Sequence, residues 1–498
     1  MNPSVLESRV GKLTGLLEVG KAMASERNLD RLLQLILGEV TKVMAADRSS
    51  LFLVDRERNE LWSKIAQGLE VREIRVKIGL GIAGYVAQTG KIVNIQDAYA
   101  DPRFNQETDL RTGYRTRTIL CVPMQNHLSE VIGVLQVLNK RDDVFTHEDE
   151  ELLLALSSQA AVAIENAILY EDIQKLFEGF IRASVYAIES RDPTTSGHSE
   201  RVAILTVGLA EKLDRADAGP FAAITFSPDD MRELRYASLL HDFGKVGVRE
   251  PVLVKANKLY ESHRDLIVAR FKLIKKGLEN STLQKKLSLA LALGPSCREE
   301  IAGLDEELQR RLAEVDGQMS FILDANNPTI MPQGGFERIL EIAGNTFVDV
   351  DGVKVPYLTT KEAENLTIGK GSLNVEERLE IESHVTHSFR FLRQIPWTKD
   401  LRRVPTIAYA HHEKLNGSGY PNGLRSEDIP FQAKIMTVCD IYDALTASDR
   451  PYKRALPADR ALDILGIEVK DGNLDPELVQ IFTESKVWSL TLGMRPGT

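Results

Sequence analysis

The chain has 498 residues and a formal net charge of −10, with 43% hydrophobic and 27% charged residues, which is the balance of an ordinary globular protein. Its length predicts two to four domains, and its acidic charge argues against a nucleic-acid polymer as partner. The first residues lack the apolar stretch of a signal peptide, and no apolar run approaches the ~20 residues that cross a bilayer. Three scattered cysteines are too few for a disulfide scaffold. We expect a cytoplasmic protein with no membrane partner.

The first half alternates helical and strand-like patterns. We expect an N-terminal helix over residues 1–28, and residues 29–44 place apolar side chains at helical spacing after Asn28, a residue type suited to capping a helix. Strand-like runs follow, which begin at Ser50, Glu60, Val71, Thr118 and Val131. Short β-rich runs flanked by helices predict an antiparallel sheet with helices packed on one face.

Three segments of this half carry a family resemblance: Gly79–Gly90, Asn94–Phe104, and the set Asn139, Lys140, Phe145, Asp149 and Glu150. Together they resemble a GAF domain, an α+β sensor fold, with its body over residues 29–147. The resemblance implies that Lys140 and Asp149 pair and lock a strand end to the last helix. It also implies a small ligand, cyclic AMP or cyclic GMP. The alternative is a GAF domain that only dimerises or binds another ligand.

Residues 148–191 are expected to form one long helix that links the two halves. Apolar and small residues recur three and four apart, as in a coiled-coil seam: Leu153, Leu156, Ala160, Ala163, Ala167, Tyr170, Gln174, Phe177 and Ile181. We interpret this face as the seam of a parallel homodimer that carries a signal to the second half. The alternative is a helix packed on its own domain. Asp192-Pro193 ends the helical pattern.

The second half concentrates residues that ligate metals. Five histidines and two aspartates stand in helical or helix-bordering settings beside apolar residues: His198, His241, Asp242, His384, His411, His412 and Asp440. A mixed imidazole and carboxylate set suits iron, manganese, zinc or nickel, and a carboxylate can bridge two ions. A single buried histidine is usually a satisfied core residue, but five that recur with aspartates predict a metal centre.

Four motifs in order resemble the HD-GYP family of bacterial metal-dependent phosphodiesterases, at residues 194–201, 241–247, 411–421 and 439–454. The resemblance implies an all-α HD-type phosphohydrolase domain over residues 192–498. It implies cyclic di-GMP as substrate, with linear pGpG, GMP or both as product, or the related cyclic GMP-AMP. Two other functions stay open, a cyclic di-GMP receptor without turnover and a general HD phosphohydrolase.

The resemblance also implies two divalent ions, iron or manganese ahead of zinc or nickel. One ligand set is His198, His241, Asp242 and Asp440, and the other is Asp242, His384, His411 and His412. Asp242 is thus the candidate bridge between the ions. His387, one helical turn after His384, is the alternative ligand at that place. Two ions would lower the pKa of a water between them and clamp the phosphate oxygens.

Cationic and aromatic residues near these ligands are candidates for substrate contact. Lys245 follows Asp242 by one helical turn and is expected to meet a phosphate oxygen or the attacking hydroxide, so these two are the candidate catalytic residues. By resemblance, Arg450 and Lys453 hold the substrate phosphates. Tyr420, in the Gly-Tyr-Pro loop, would offer a ring for stacking on substrate or for contact with a partner such as a diguanylate cyclase.

Two positions depart from the family pattern. Thr194 stands where some members have a glutamate for a third ion, so we expect two ions. Asn416 stands where an aspartate is frequent, which we expect to matter little for metal binding. Arg201, one turn after His198, is expected to orient a carboxylate.

The distance from the His-Asp doublet to the next predicted ligand, about 140 residues, is far longer than in compact family members, so residues 252–372 are expected to be an insertion. Its Lys-rich stretch 255–286 and acidic stretch 299–316 both show helical spacing, which predicts a hairpin of oppositely charged helices. Residues 345–358 predict a β-hairpin that turns at Asp351-Gly352. The insertion is either a solvated decoration or a lid over the metals.

Overall fold

The computed structural model describes residues 17–63, 74–141, 143–192, 196–215, 220–329, 331–447 and 455–494. The chain divides into two compact units, Met1–Gly179 and Phe180–Thr498. Five residues named above lie outside the described residues: Val71, Pro193, Thr194, Arg450 and Lys453. Residues 1–16 of the predicted N-terminal helix also lie outside them.

The first unit is built on an antiparallel sheet. Its described strands are β1 (Ala46–Asp55), β2 (Glu60–Ser63), β3 (Ile74–Lys77), β4 (Val93–Ile95), β5 (Ile119–Gln125) and β6 (Val131–Lys140), in the order β3-β2-β1-β6-β5-β4. The accompanying helices are α1 (Leu29–Val43), α2 (Gly81–Thr89) and α3 (Glu107–Thr112), and residues 17–25 are also helical. The predicted antiparallel sheet is confirmed, but the expectation of helices on one face is wrong. Helix α1 shares a core with Leu120 and Val122 of β5, whereas α2 packs with Ile119 and Cys121, which point to the other face of the same strand.

Helix α1 begins and packs as its sequence predicts. The Asn28 side chain accepts a hydrogen bond from the Arg31 amide at 3.0 Å, which caps the helix. Leu32, Ile36 and Val40 line its buried face and join one core with residues of β1, β5 and β6. Each such side chain contributes about 1.5–3 kcal/mol by leaving water.

The predicted lock at the end of the sheet is confirmed. Lys140 Nζ, at the end of β6, lies 2.7 Å from Asp149 Oδ1. Asp149 also accepts a hydrogen bond from the Thr146 amide at 2.8 Å. Burial alone would raise the pKa of Asp149, but the Lys140 ammonium and the Thr146 amide outweigh it and lower that pKa.

Helix α4 (His147–Glu189) is continuous, as predicted, but most of its predicted dimer seam is not available to a partner. Five of the proposed seam residues are buried in the core of the first unit: Leu153, Leu156, Ala160, Ala163 and Ala167. They pack in one cluster with residues of α1 and with Val19 and Met23. The seam interpretation is therefore wrong for these residues, because their partner is the domain itself.

A different apolar stripe on α4 is exposed. Val162 is 55% exposed, Leu169 58%, Ile173 56% and Leu176 76%, and we call these four residues the exposed stripe. Within the described part of the chain, α4 is the helix long and apolar enough to cross a membrane by length and composition. Because 44% of its most apolar window is buried in the protein, and core helices meet the same criterion, this is weak evidence for a span.

The second unit is largely helical. Its described helices are α5 (His198–Asp214), α6 (Pro228–Leu240), α7 (Glu250–Leu253), α8 (Glu261–Leu293), α9 (Arg298–Ala325), α10 (Gly335–Gly344), α11 (Thr360–Leu366), α12 (Val375–Leu392), α13 (Val404–Tyr409), α14 (Phe431–Thr446), α15 (Ala458–Lys470) and α16 (Pro476–Glu484). Helices α5, α14, α15 and α16 share one apolar core, which includes Leu209, Val438, Leu465 and Phe482.

The hairpins predicted for the insertion are both present. Helices α8 and α9 lie antiparallel, with Lys275 Nζ 2.7 Å from Asp316 Oδ1 and with Lys286 paired to Asp305 nearer the turn. Strand β7 (Thr346–Val348) pairs with β8 (Lys354–Pro356). The oppositely charged faces therefore meet, as the sequence indicated.

The inserted hairpins have their own core and a shared attachment point. Ile267, Phe271 and Ile322 belong to an apolar cluster separate from that of α5 and α14. At its base, Lys255 Nζ lies 2.7 Å from Glu377 Oε2, and the Tyr260 hydroxyl donates to Glu377 Oε1 at 2.7 Å. The start of the segment is thus attached to the first turn of α12, and Ser372 Oγ, at its end, donates to the Lys255 carbonyl at 2.9 Å. Its role as a lid stays a prediction.

Candidate metal centre

The structure brings all seven predicted metal-ligating residues into one cluster in the second unit, which we call the metal centre. Three groups have donor atoms within 4.8 Å of one another: His384 with His411 and His412, His198 with His241 and Asp242, and His241 with His411 and Asp440. The first two groups belong to the two predicted ligand sets. The third spans both sets, so the two sets adjoin.

Each ligand is delivered by a helix or a helix end. His198 opens α5 after Gly197, whose φ of +67° favours glycine. His241 ends α6, and Asp242 leads into the short 3-10 turn Phe243–Gly247. The remaining ligands lie within α12, just after α13 and within α14: His384, His411, His412 and Asp440. Helices hold these side chains more firmly than loops would.

The two aspartates lie between the imidazoles. Asp242 has Oδ1 at 3.2 Å from His384 Nε2 and Oδ2 at 3.5 Å from His241 Nε2. Asp440 Oδ1 lies 3.2 Å from His198 Nε2. Asp242 therefore presents one oxygen to each ligand set, which is the arrangement that a bridging carboxylate needs.

Three of the imidazoles are oriented by the backbone. The Nδ1 atoms of His241, His384 and His411 lie 2.7, 2.6 and 2.6 Å from the carbonyl oxygens of Ser238, Ile381 and Ala408, each three residues earlier. A carbonyl can only accept, so each Nδ1 carries the proton and donates. Each Nε2 is then left with a free lone pair, the form in which histidine binds metals.

These lone pairs provide the test of fit for divalent ions. The Nε2 atoms of His241, His384 and His411 are buried and make no hydrogen bond among the described residues. A buried polar atom without a partner costs about 1–3 kcal/mol, and three that converge on two carboxylates are explained if cations lie between them. Imidazole and carboxylate donors suit iron, manganese or zinc, so the residues present fit the ions that the sequence predicted.

The electrostatics agree with this assignment at most positions. Burial lowers the pKa of His241, of His411 and of His412, the last to about 4, so these rings are neutral at pH 7. His198 is the exception, because Asp440 and Asp443 outweigh its burial and raise its pKa to about 9. Without a metal, His198 is therefore protonated at neutral pH, and an ion must displace that proton.

Asp443 lies beside the metal centre but was not predicted from the sequence. Its Oδ2 lies 2.8 Å from His198 Nδ1, and Arg201 Nε donates to its Oδ1 at 2.8 Å. The expectation that Arg201 orients a carboxylate is confirmed, and Asp443 is that carboxylate. Its position three residues after Asp440, on one helical face, was the available signal. A carboxylate behind a ligating histidine fixes its tautomer and raises its basicity.

Asp192 is the second missed residue. The sequence marks it only as the end of a helix, but its Oδ2 lies 3.3 Å from Lys245 Nζ. Lys245 Nζ also lies 2.8 Å from Asp242 Oδ2. This agrees with the prediction that Lys245 lies one turn after Asp242. Lys245 is thus held at the edge of the metal centre.

Close backbone packing brings α12 to the His-Asp doublet. A Cβ on Gly244 would lie 1.9 Å from the His384 carbonyl oxygen, so only glycine fits there. Ser388 Oγ donates to the His241 carbonyl at 2.6 Å and accepts from the Gly244 amide at 2.7 Å. His387 belongs to none of the three donor groups and packs its ring against Gly247, which favours His384 over His387 as the ligand.

The Gly-Tyr-Pro loop borders the open side of the centre. The Tyr420 ring centroid lies 4.8 Å from that of His412, whose side chain is 29% exposed. Burial and the nearby Asp242 and Asp440 raise the pKa of Tyr420, so its hydroxyl keeps its proton. Asn416, in the same loop region, donates from Nδ2 to the Asp471 carbonyl at 3.1 Å and to Asn473 Oδ1 at 2.8 Å.

A separate cavity of about 230 Å³ lies in the first unit, where a GAF ligand was expected. Phe52, Ile119 and Leu138 contribute apolar walls, and Arg48 and Asp109 contribute charge. The Arg48 guanidinium lies 3.9 Å from the centroid of the Tyr114 ring. Apolar walls with a few fixed polar groups are typical of small-molecule sites.

Replacement of Asp443 by Asn is expected to weaken metal binding about 10- to 100-fold, because His198 loses the charge that fixes its tautomer. Metal affinity should be measured by competition with a chromophoric chelator. The variant Asp428→Asn, which alters an exposed aspartate of the same unit, is the control and should bind like the parent protein. Equal affinity for all three proteins would show that Asp443 does not support the centre.

Metal affinity is also expected to rise with pH from 6 to 9. The pKa of His198 is raised to about 9 without metal, so below that pH binding must release its proton, and lower pH opposes binding. At pH 7.5, binding of an ion at His198 should release about one proton, the one that the ring carries without metal. Calorimetry in buffers of different ionisation enthalpy measures this number, and a pH-independent affinity would contradict the assigned state of His198.

Comparison with known families agrees with the division of the chain into two units. A GAF domain model matches residues 28–164. Two HD domain models match residues 195–312 and 359–478. The GAF match lies in the first unit and both HD matches lie in the second, where the metal centre is.

Curated relatives are phosphodiesterases that are much longer than the matched part. The probable 3',5'-cyclic phosphodiesterase pde-5 of Caenorhabditis elegans is 37% identical over 173 residues, which are 32% of this chain and 24% of that protein. The dual 3',5'-cyclic-AMP and -GMP phosphodiesterase 11A of Takifugu rubripes is 39% identical over 175 residues, 32% of this chain and 19% of that protein. The chain thus spans about a quarter or less of these relatives.

Solved GAF domains also match. That of a phosphoenolpyruvate-protein phosphotransferase from Coxiella burnetii is 24% identical, with a TM-score of 0.30, and the match covers 32% of this chain and 96% of that domain. The Acinetobacter counterpart is 25% identical, with a TM-score of 0.29 and coverage of 32% and 97%. With the family matches, the sheet and the helices described above, the chain carries an N-terminal GAF domain followed by a largely helical HD-domain region.

Proposed function

We propose that the HD region is a two-metal phosphodiesterase that hydrolyses a cyclic dinucleotide, cyclic di-GMP first, to linear pGpG, GMP or both. The observation that carries this proposal is the convergence of three buried, unpartnered Nε2 atoms on Asp242 and Asp440. A receptor that only binds nucleotide has no need of such a donor set, which disfavours the alternative of binding without turnover.

The chain's own residues supply the rest of the chemistry. Two divalent ions, iron or manganese before zinc or nickel, would lower the pKa of a water between them and offset charge on the phosphate. Lys245 would place its ammonium against a phosphate oxygen, since it stands 2.8 Å from Asp242 at the edge of the centre. Tyr420, on the open side, would stack on a base. Arg450 and Lys453 are proposed to hold the phosphates.

Two other substrates are alternatives for the same centre. Cyclic GMP-AMP presents the same phosphodiester chemistry as cyclic di-GMP. The names of the relatives favour a 3',5'-cyclic mononucleotide as a further candidate. We also propose that the Gly419–Pro421 loop is a contact surface for a diguanylate cyclase.

We propose the cytoplasm as the compartment of the protein. The three free, buried cysteines would stay reduced there.

We further propose that the GAF cavity binds cyclic AMP or cyclic GMP and that the ligand alters turnover through α4. A ligand changes activity only as far as it binds two states of the chain with different affinity. A tenfold effect requires about 1.4 kcal/mol of such difference.

The proposed dimer uses the exposed stripe instead of the buried one. Leu169, Ile173 and Leu176 are four and three residues apart, and Val162 lies one heptad before Leu169, as core positions of a two-stranded coiled coil would. The exposed Asn166 falls on the same face, where a single asparagine favours a parallel, in-register pair. Glu165 and Asp172 flank the stripe on one side only. In an antiparallel pair the acidic side chains of the two helices would face each other, and the repulsion between them disfavours that arrangement.

Hydrolysis is the direct test of the function. Purified protein with Mn²⁺ or Fe²⁺ should convert cyclic di-GMP, and chromatography of parallel reactions with cyclic GMP-AMP, cyclic AMP and cyclic GMP identifies the preferred substrate. His241→Ala combined with Asp242→Ala should abolish turnover and remove most bound metal, because both ligand sets lose a member.

The control for this experiment is a histidine outside the donor groups. His384→Ala should lose metal, whereas His387→Ala, one turn further on α12, should keep about two ions per chain by elemental analysis. Full activity in the double variant would contradict the metal assignment. A clear third ion would contradict the expected stoichiometry of two.

Titration of cyclic AMP and cyclic GMP into the same assay tests the regulation. One of them should change turnover in the full chain and have no effect on a chain that begins near Leu176, which lacks the cavity. If neither nucleotide binds the full chain, or if binding leaves turnover unchanged, the GAF domain does not regulate the enzyme in the proposed way.

Replacement of Ile173 by Asp tests the dimer. A charge in the middle of the exposed stripe should shift the protein from dimer to monomer in sedimentation experiments, because two buried carboxylates would face each other. The matched control is Ile168→Asp, on the same helix but off the stripe, which should leave the mass unchanged. A monomeric parent protein, or a dimeric Ile173 variant, would overturn the proposed interface.

A further inference from the structure

The end of α4 contacts the segment that carries Lys245, a feature that the proposed function does not use. The helix ends at Glu189, and Ser190 and Arg191 form a turn after it. Arg191 Nη1 donates to the Val246 carbonyl at 2.6 Å, and its Nη2 donates to the Val248 carbonyl at 3.2 Å. Both carbonyls belong to or follow the 3-10 turn Phe243–Gly247, so Arg191 fixes the backbone just beyond Lys245.

Asp192 contacts the side chain of the same lysine. Its Oδ2 lies 3.3 Å from Lys245 Nζ, while Asp242 Oδ2 lies 2.8 Å away. The Asp192 side chain is 4% exposed and that of Lys245 is 16% exposed, so water screens this contact little. A carboxylate buried to this extent requires a paired cation, and Lys245 meets that requirement.

A second anchor matters because of what Asp242 is proposed to do. An ammonium is a point charge on a flexible stem, so one contact does not define its position. If the oxygens of Asp242 are taken up by two ions, they are less available to Lys245. Asp192 belongs to neither ligand set, so it can hold the ammonium in place at the same time.

We propose that Asp192 is a positioning residue that sets where the Lys245 ammonium stands, and that Arg191 holds the backbone beside it. The end of α4 thereby controls the placement of a catalytic group. This inference rests on the proposed phosphodiesterase function. It also gives the proposed regulation a physical route, since any shift at the end of α4 moves Arg191 and Asp192 together.

The test is Asp192→Asn, which keeps the shape and removes the charge. With Mn²⁺-loaded protein and either cyclic di-GMP or the general diester bis(4-nitrophenyl) phosphate, kcat should fall about 10- to 100-fold, as expected for a misplaced catalytic group. KM and metal content should change little. Asp192→Glu, which retains the charge, should recover part of the loss. Asp463→Asn, at an exposed aspartate paired with Arg460, is the matched control and should behave like the parent protein.

A double-variant comparison separates positioning from a general structural role. If Asp192 acts through Lys245, the variant with both Asp192→Asn and Lys245→Met should be no slower than Lys245→Met alone. Additive losses, or an unchanged kcat in Asp192→Asn, would overturn the proposal. If Asp192→Asn does not fold, Arg191→Lys, which cannot reach both carbonyls, should lower kcat at constant metal content, and an unchanged kcat there would overturn the proposal equally.

A measurement without turnover distinguishes this inference from the function on which it rests. Lys245 should react slowly with an amine-directed acetylating reagent in the parent protein and several-fold faster in Asp192→Asn, as read by mass spectrometry of the peptide that contains it. Equal labelling rates would contradict the anchor. Faster labelling in a protein that hydrolyses no diester would retain the anchor and reject the phosphodiesterase proposal.

Discussion

Backbone control of imidazole orientation is the constraint on which the metal centre depends. A histidine offers a metal only the ring nitrogen that carries no proton, and hydrogen bonds from Nδ1 to carbonyls three residues back settle this for His241, His384 and His411. Carbonyls at helix C-termini lack intrahelical partners, so the ends of α6 and α13 provide the acceptors for His241 and His411. The HD region therefore prepares its ligands through its helices, before any ion is bound.

Charge is the second requirement at this centre. Asp192, Asp242, Asp440 and Asp443 are buried, and among the described residues the cationic side chains that pair with them include Lys245 and Arg201. Buried carboxylates without paired positive charge are unfavourable. Because the pKa of His198 is raised to about 9, its ring carries a proton at neutral pH, and this proton offsets part of the negative charge. Divalent ions would offset it more fully and release the proton. The same carboxylates thus account for the fit of cations and for the protonation of His198.

The sequence predicted the residues that cluster in the metal centre, but it did not predict the residues that support them. Candidate metal ligands can be recognised in a sequence from their residue type and their neighbours, as with His241-Asp242 and His411-His412. Asp443 and Asp192 act through partners far away in the chain, and spacing alone does not reveal such pairs. The separation of charge between α8 and α9 was readable because each helix carries one sign over a long stretch.

The dimer seam shows the limit of periodicity in a different way. A three-and-four spacing of apolar residues predicts a buried helical face but does not say what covers it. On α4 two such faces exist, and the one through Ala160 and Ala163 packs on its own domain. The stripe through Leu169 and Ile173 shows the same spacing and is exposed. Only the fold distinguishes them.

Anomalous diffraction from crystals of the Mn²⁺-loaded protein, with data on both sides of the manganese edge, tests the central claim most directly. The account predicts two peaks, one on either side of the Asp242 carboxylate, with His198 and His241 near one and His384, His411 and His412 near the other. A single peak, or peaks only outside this cluster, would contradict it.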